Sequence, residues 1–354
     1  MRPHRLSLFG VVLTLAACAA GDGETQVGAG AATITLVDTV LIEETPSVFV
    51  ARPAHLAVSG RDEFFISDAF SRNVIHVRAN GQVAGGIGRR GRGPGEFEAP
   101  TTMLVAHDSL LLVADQARGG VVVRSLESGL ERALLRIEGA RPTMTMVGDV
   151  VYAGTVNSVR RTALARWNLG GDSVHYFGVL PDAYERSPMR DFIRNVSLAA
   201  WGDTLAYIVG LTDVVYIATS DGRLSDSLRV PRLTRRGLPT GQRLAALRDP
   251  NKAAAESSLP WALGSLRDGR LVAVFADGEM RSNAFGGRLF VTVLARAGNA
   301  HCTDILVPSD GHELPRVAFD GDEMLVLEQR VVRGRAVHVV RRYSFPAACS
   351  GPAA

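Results

Sequence analysis

The sequence predicts an all-β protein folded as a six-bladed β-propeller, with an N-terminal strand that closes the last blade and a helical insertion between two blades. Three observations predict this fold. A unit of short strands and polar turns recurs six times, the last unit lacks one strand, and an unassigned strand lies near the N-terminus. Arranging such sheets in a ring covers the faces of each sheet with its neighbours.

The repeat is clearest in the first unit, whose short apolar strands lie within 55–58, 63–68, 74–78 and 82–87. Aspartate and glycine mark the turns because tight connections need a positive φ or a side chain that bonds the local backbone. The spacing of 41 to 65 residues between marked turns is near or above the roughly 40 to 50 residues of a four-stranded blade. The marked turns contain Asp62, Asp108, Asp149, Asp203, Asp268 and Asp322.

Closure of the ring is predicted from the two ends of the chain. The last unit supplies strands around 316–319, 323–327 and 336–345, and the alternating stretch 32–42 supplies its fourth strand. Cys302 and Cys349 are an even pair in an exported chain and form a candidate disulfide near the same seam.

The N-terminus predicts export. Residues 1–17 combine a basic start, a short apolar run and small residues, and the apolar run is shorter than the roughly 20 residues that cross a bilayer. Leu15-Ala16-Ala17-Cys18 resembles the lipobox of bacterial lipoproteins, which implies a diacylglycerol on the Cys18 thiol. The alternative is an ordinary secretory peptide with a chance cysteine. We expect a flexible tether at 18–32, a propeller at 33–349 and a tail at 350–354. From this layout we expect a protein of the bacterial cell envelope, anchored by lipid to the outer membrane and facing the periplasm or the exterior.

The segment Gly88-Arg-Arg-Gly-Arg-Gly-Pro-Gly-Glu-Phe-Glu-Ala-Pro100 resembles the junction of NHL-type repeats and related bacterial six-bladed propellers. Residues 50–137 carry the resemblance, and later units match only in pattern. We expect Phe97 to pack between blades and Glu96 to bond the loop backbone, so the motif is structural. A phosphate-binding role is disfavoured because no Gly-Lys-Ser/Thr follows.

One face of the predicted propeller carries the long connections, at 88–100, 181–195, 231–262 and 276–287, and binding usually occurs on such loops. The 231–262 insertion contains a helix-like stretch, Thr240 to Leu247, which is either a lid over the face or a structural brace between blades.

The arginines of this face have two interpretations. They assemble an anion site, or they belong to a solvated surface of mixed charge that also holds Asp182, Glu185, Asp191, Asp277 and Glu279. Lys252 is the only lysine, so a general arginine bias favours the second interpretation. The candidate arginines are Arg89, Arg90, Arg92, Arg186, Arg190, Arg235, Arg236 and Arg281.

Composition and motifs exclude several functions. A formal net charge of +3 provides no basic field for nucleic acid. The eight histidines show no metal-ligand spacing, Gly-x-Ser-x-Gly is absent, and no cofactor or metal is evident.

We favour a monomeric binding or scaffold module for a protein, peptide or glycan, attached to the membrane only through its lipid. The alternative is a metal-dependent lactonase-like hydrolase or lyase acting in the central channel, where Asn195 lacks evident partners.

Overall fold

The computed structural model describes residues 32–138, 143–170, 173–185, 194–238, 255–281, 284–295, 300–309 and 313–347. These residues form six four-stranded antiparallel sheets and one short parallel pair. Neighbouring sheets contact each other through their first strands, and the last sheet returns to the first, which closes the ring. The predicted all-β, six-bladed propeller is confirmed.

The strand that completes the last blade is β1 (Thr35–Leu41). Blade 1 consists of β2 (Pro53–Val58), β3 (Phe64–Asp68), β4 (Asn73–Val77) and β5 (Val83–Ile87). The connection to blade 2 contains the parallel pair β6 (Arg89–Arg90) and β7 (Glu96–Phe97). Blade 2 consists of β8 (Pro100–Ala106), β9 (Leu110–Asp115), β10 (Gly120–Ser125) and β11 (Glu131–Arg136).

Blade 3 consists of β12 (Thr143–Val147), β13 (Val150–Asn157), β14 (Thr162–Asn168) and β15 (His175–Phe177), followed by the short helix α1 (Asp182–Glu185). Blade 4 consists of β16 (Val196–Trp201), β17 (Thr204–Val209), β18 (Val214–Thr219) and β19 (Leu224–Arg229). Blade 5 consists of β20 (Leu259–Ser265), β21 (Leu271–Arg281), β22 (Ala284–Leu294) and β23 (Ala300–Val307). Blade 6 consists of β24 (Arg316–Asp320), β25 (Glu323–Val332), β26 (Arg335–Ser344) and β1.

The N-terminal strand closes the ring as predicted. β1 pairs antiparallel with β26, from Thr35 opposite Ser344 to Leu41 opposite Val339. Val40 is buried in a cluster that joins blades 6 and 1. The first and last parts of the propeller are thereby held in one sheet.

The hydrophobic core lies between adjacent blades. Phe97, from the connection after blade 1, is fully buried beside residues of blades 1 and 2, as expected for the 88–100 loop. Glu96 accepts a hydrogen bond from the Gly93 backbone N–H at 2.9 Å, and Arg124 donates to the Gly95 carbonyl at 2.9 Å. The loop is therefore a packed junction between blades.

Buried aspartates at the ends of second strands fix the connections that lead into the ring. Asp68 accepts the backbone N–H groups of Ala51 and Arg52 at 2.8 and 2.6 Å. Asp115 accepts those of Glu98 and Ala99 at 2.7 and 3.0 Å. Each carboxylate thus anchors the segment that enters the first strand of its own blade.

The two faces of the ring differ. Turns after the first and third strands of each blade form the short-turn face, and turns after second strands together with the connections between blades form the long-loop face. On the short-turn face, Asp108 accepts the Gly60 N–H at 2.7 Å and Asp322 accepts the Arg267 N–H at 2.8 Å. The repeated aspartates therefore connect neighbouring blades as well as shaping their own turns.

Two expectations about the long-loop face need correction. The predicted helical insertion at 231–262 is not supported. Residues 231–238 are irregular, only Ala255 and Glu256 are helical among the residues described there, and β20 begins at Leu259. Thr240 to Leu247 lies outside the described residues. The expected 276–287 loop is a strand hairpin, because β21 and β22 continue pairing to Arg281 opposite Ala284.

Candidate functional site

A cavity of about 500 Å³ lies on the propeller axis. It is lined by the first strands of all six blades, β2, β8, β12, β16, β20 and β24. Concave cavities of this size are where small ligands usually bind. The axial cavity is therefore the candidate site.

Hydrogen-bonding side chains gather at one end of the cavity. The first strands all run in the same direction around the ring, so their N-terminal ends lie together at the long-loop face. Lining residues at the other end are mainly apolar, and Phe319 packs directly on Gly264, where a Cβ would lie 2.3 Å from the ring. The cavity thus has a polar mouth on the long-loop face, formed by His55, Thr102, Thr143, Asn195, Trp261 and Arg316.

The His55 imidazole is neutral. Its Nδ1 accepts the Met103 backbone N–H at 3.3 Å, so the proton of the neutral ring is on Nε2. Burial, and then the positive charge of Arg316, lower the pKa of His55 to about 4. At neutral pH His55 contributes a hydrogen-bond donor without contributing charge.

Arg316 and Trp261 form a fixed pair at the mouth. Arg316 donates from Nε to the Pro53 carbonyl at 3.0 Å and from Nη1 to the Leu314 carbonyl at 2.8 Å. Its guanidinium carbon lies 5.7 Å from the Trp261 ring centroid. The Trp261 indole N–H donates to the Pro315 carbonyl at 2.8 Å. These contacts hold both side chains against the wall before any ligand arrives.

Asn195 presents an unused acceptor at the opposite side of the ring from His55. Its Nδ2 donates to the Pro260 carbonyl at 2.8 Å. Its Oδ1 is buried and has no hydrogen-bond partner among the described residues. Because an unsatisfied buried acceptor is costly, a donor group of a ligand or a water molecule is expected there.

The described side chains of the mouth do not make up a divalent metal centre. Among the described residues that line the cavity there is no carboxylate, and calcium and magnesium prefer such oxygen ligands. Within the described ranges, no cluster of three or more His, Cys, Asp or Glu side chains has a metal-binding arrangement.

The predicted arginines do not converge on one site. Arg89 is exposed and pairs with Glu96 at 2.9 Å, Arg92 is exposed and pairs with Glu98, and Arg90 is exposed. Arg235 is buried against Asp304, and Arg236 donates to the Gly278 carbonyl at 2.7 Å. The described arginines of this set therefore do not form an anion site.

The remaining predicted residues fall partly outside the description. Arg186, Arg190, Cys18 and Cys349 lie outside the described residues, and of Arg281 only the backbone, in β21, is described. Cys302 is disulfide-bonded and buried in β23. None of the helices in the described part of the chain is long and apolar enough to span a bilayer.

Sequence reasoning missed His55, Trp261 and Arg316. Their common signal was their place at the start of a first strand, because these positions converge on the axis of a closed ring. Asn195 has the same position and was noticed without its partners. Residue type alone did not separate these side chains from the many other polar residues of the chain.

No family model matches the chain, and no curated protein matches it, so the NHL family is not shown. Solved structures do resemble it. A member of the DUF4221 family from Bacteroides vulgatus has a TM-score of 0.66 at 10% identity, covering 90% of this chain and 99% of that one. A putative exported protein from Bacteroides fragilis has a TM-score of 0.60 at 9% identity, with 88% and 95% covered.

A gluconolactonase from Xanthomonas campestris has a TM-score of 0.52 at 13% identity, covering 90% of this chain and 98% of that one. At these identities the likeness concerns the fold. The chain therefore shares its six-bladed propeller with DUF4221 and exported proteins and with lactonase-like propellers.

Proposed function

We propose that this protein is a lipid-anchored binding module of the bacterial cell envelope, which takes a polar group of a peptide or glycan into the mouth of its axial cavity. The main support is the arrangement of Asn195 Oδ1, a buried acceptor without a described partner, across the ring from the His55 Nε2–H donor. Peptides and glycans both carry donors and acceptors that can bridge such a pair. The ligand is either free or part of a larger partner protein.

The donor set favours binding over metal-dependent hydrolysis. A neutral imidazole, an amide, an arginine and an indole line the mouth, and no carboxylate is among its described residues. Such groups recognise and orient a ligand through hydrogen bonds and stacking. They do not provide the paired acids and metal ligands of the lactonase-like alternative.

The direction of β1 supports an orientation for the anchored protein. Thr35, the first residue of β1, pairs with Ser344 and so lies at the short-turn face. A tether from Cys18 would reach the propeller on that face. The cavity mouth, on the long-loop face, would then point away from the anchor.

A ligand screen tests the binding proposal. The exported part is screened by thermal shift against peptides and oligosaccharides, and hits are titrated calorimetrically with the Asn195→Ala variant. We expect at least about a tenfold loss of affinity. The matched control is Ser265→Ala, at the other end of the same cavity, which should bind normally. Equal affinity of all three proteins for every hit would contradict the proposal.

A separate experiment tests the anchor. A Cys18→Ser variant expressed in a bacterium should no longer incorporate labelled fatty acid and should leave the membrane fraction. Unchanged labelling would show that Cys18 is not the lipid attachment site.

A further inference from the structure

Blade 6 carries a hairpin that projects from the long-loop face. β25 and β26 pair out to Val332 opposite Arg335. Their neighbours stop earlier, because β24 ends its ladder at Arg316 opposite Leu327 and β1 ends its own at Leu41 opposite Val339. Residues 329–337, named here the blade 6 arm, therefore extend beyond the four-stranded sheet.

The tip of the arm is a tight two-residue turn. Arg333 and Gly334 have φ values of 50° and 77°, as in the type I′ turns that match the twist of a hairpin. Glycine and asparagine adopt this conformation readily, whereas a long side chain at the first position costs some strain. The turn geometry therefore does not itself call for an arginine at position 333.

The outer edge of the arm has free backbone groups. The His338 carbonyl points toward β1, where it accepts the Ile42 N–H at 3.0 Å. Residues two apart in a strand direct their backbone groups to the same side, so the N–H and C=O of Ala336 point outward as well. Among the described residues, no strand pairs with Ala336 on that side.

The arm is also positively charged. Arg333 and Arg335 are exposed, and within the described part of the chain neither guanidinium lies within 4.0 Å of a carboxylate oxygen. Like charges on an open edge disfavour pairing between two copies of the same strand. The same charges favour an acidic strand.

We propose that the outer edge of the blade 6 arm binds an extended acidic segment of a partner protein, which adds as a strand beside Ala336. Backbone hydrogen bonds to the free edge would provide affinity, and Arg333 and Arg335 would select acidic side chains. This site goes beyond the axial cavity, which the arm does not line.

Fluorescence anisotropy of the exported protein at low ionic strength tests the site. The probe is a labelled, end-blocked peptide of alternating Thr and Glu, and its twin alternates Thr and Lys. We expect the Glu probe to bind at least about tenfold more tightly than the Lys probe. Ala336→Pro, which removes the outward N–H donor, should weaken the Glu probe by about tenfold or more.

A matched variant lies across the same hairpin. Val331 pairs with Ala336, so its N–H points to the opposite edge, and Val331→Pro should leave probe binding unchanged. Arg333→Asn combined with Arg335→Thr keeps a relaxed turn and should abolish the preference for the Glu probe. Asn195→Ala should keep the probe affinity, which separates this site from the cavity.

Three results would overturn the proposal: no binding of the Glu probe by the unmodified protein, equal binding of the two probes, or equal effects of Ala336→Pro and Val331→Pro. The double arginine variant keeps the test valid if a proline variant fails to fold.

Discussion

Arg235 and Asp304 form a buried ion pair that fixes the beginning of the 230–258 connection to blade 5. The Nε–Oδ1 distance is 2.9 Å, and the side chains are 1% and 0% exposed. Asp304 also accepts the backbone N–H groups of Leu233 and Thr234 at 2.6 and 2.8 Å. The Arg235 guanidinium lies 3.8 Å from the Phe275 ring centroid. Arg235 is therefore committed to the structure and is not available to an anion.

Removing this pair should destabilise the propeller. Arg235→Ala leaves a buried carboxylate without its counter-ion, and breaking such a pair costs about 3–5 kcal/mol. Urea unfolding should show a correspondingly lower free energy of unfolding. Arg90→Ala, at an exposed position, serves as the control and should change little. A normal unfolding midpoint for Arg235→Ala would mean that the pair is not a structural constraint.

The packing of the 88–100 loop predicts that alanine destabilises the protein more at Gly88 than at Gly129. Gly88 has a φ of 78°, and a Cβ there would lie 2.5 Å from the Phe97 ring. Gly129 has a φ of 68° with no heavy atom within 4 Å of the Cβ position. Gly129→Ala should therefore cost only the backbone strain of about 1 kcal/mol, and Gly88→Ala clearly more. Thermal unfolding measures both, and equal melting temperatures would disagree with the packed junction.

Closure of the ring can be tested with two valines of β1. Val40 is 8% exposed and packs in the cluster with Leu325, Leu327 and Val340, whereas Val37 is 52% exposed. Val40→Asp places a charge in that cluster and should cost about 3 kcal/mol or more, because an unpaired buried charge is strongly unfavourable. Val37→Asp should unfold nearly as the unmodified protein does. Equal effects of the two changes in urea unfolding would argue against the closing strand.

The lowered pKa of His55 predicts that the stability of the folded protein depends on pH. Its folded pKa is lowered from 6.5 to about 4, so between these values the unfolded chain binds more protons than the folded one. The stability that comes with a neutral His55 is fully present above pH 6.5 and is lost as the pH falls toward 4. This loss amounts to about 3 kcal/mol of unfolding free energy. His55→Gln should show a smaller loss of unfolding free energy over this interval. An unchanged pH dependence would mean that His55 is not held neutral in the cavity.

The fold could be predicted because each turn and strand is recognisable from its own short stretch of sequence. The turns at Asp62, Asp108 and Asp322 are marked by residue type, and the missing strand of the last unit pointed to 32–42. The 276–287 hairpin was missed because its glycines and polar residues resemble a loop, although the strands continue pairing through them.

For the candidate site, the sequence predicted only the face of the propeller on which it lies. Binding was expected on the long-loop face, and the polar mouth of the cavity lies there. Its members come from six different blades, so no spacing in the sequence connects His55 with Asn195 or Arg316. Conversely, Arg235 was selected for its charge and loop position, while its burial depends on Asp304, which lies 69 residues later in the chain on β23.

The most direct test of the binding account is hydrogen exchange of the purified protein with and without a peptide or glycan ligand found by the screen. The account predicts slower exchange at the N-terminal ends of the first strands, at residues 53–57, 195–198 and 259–263. Protection restricted to turns of the short-turn face, such as 59–63 and 107–109, would contradict it.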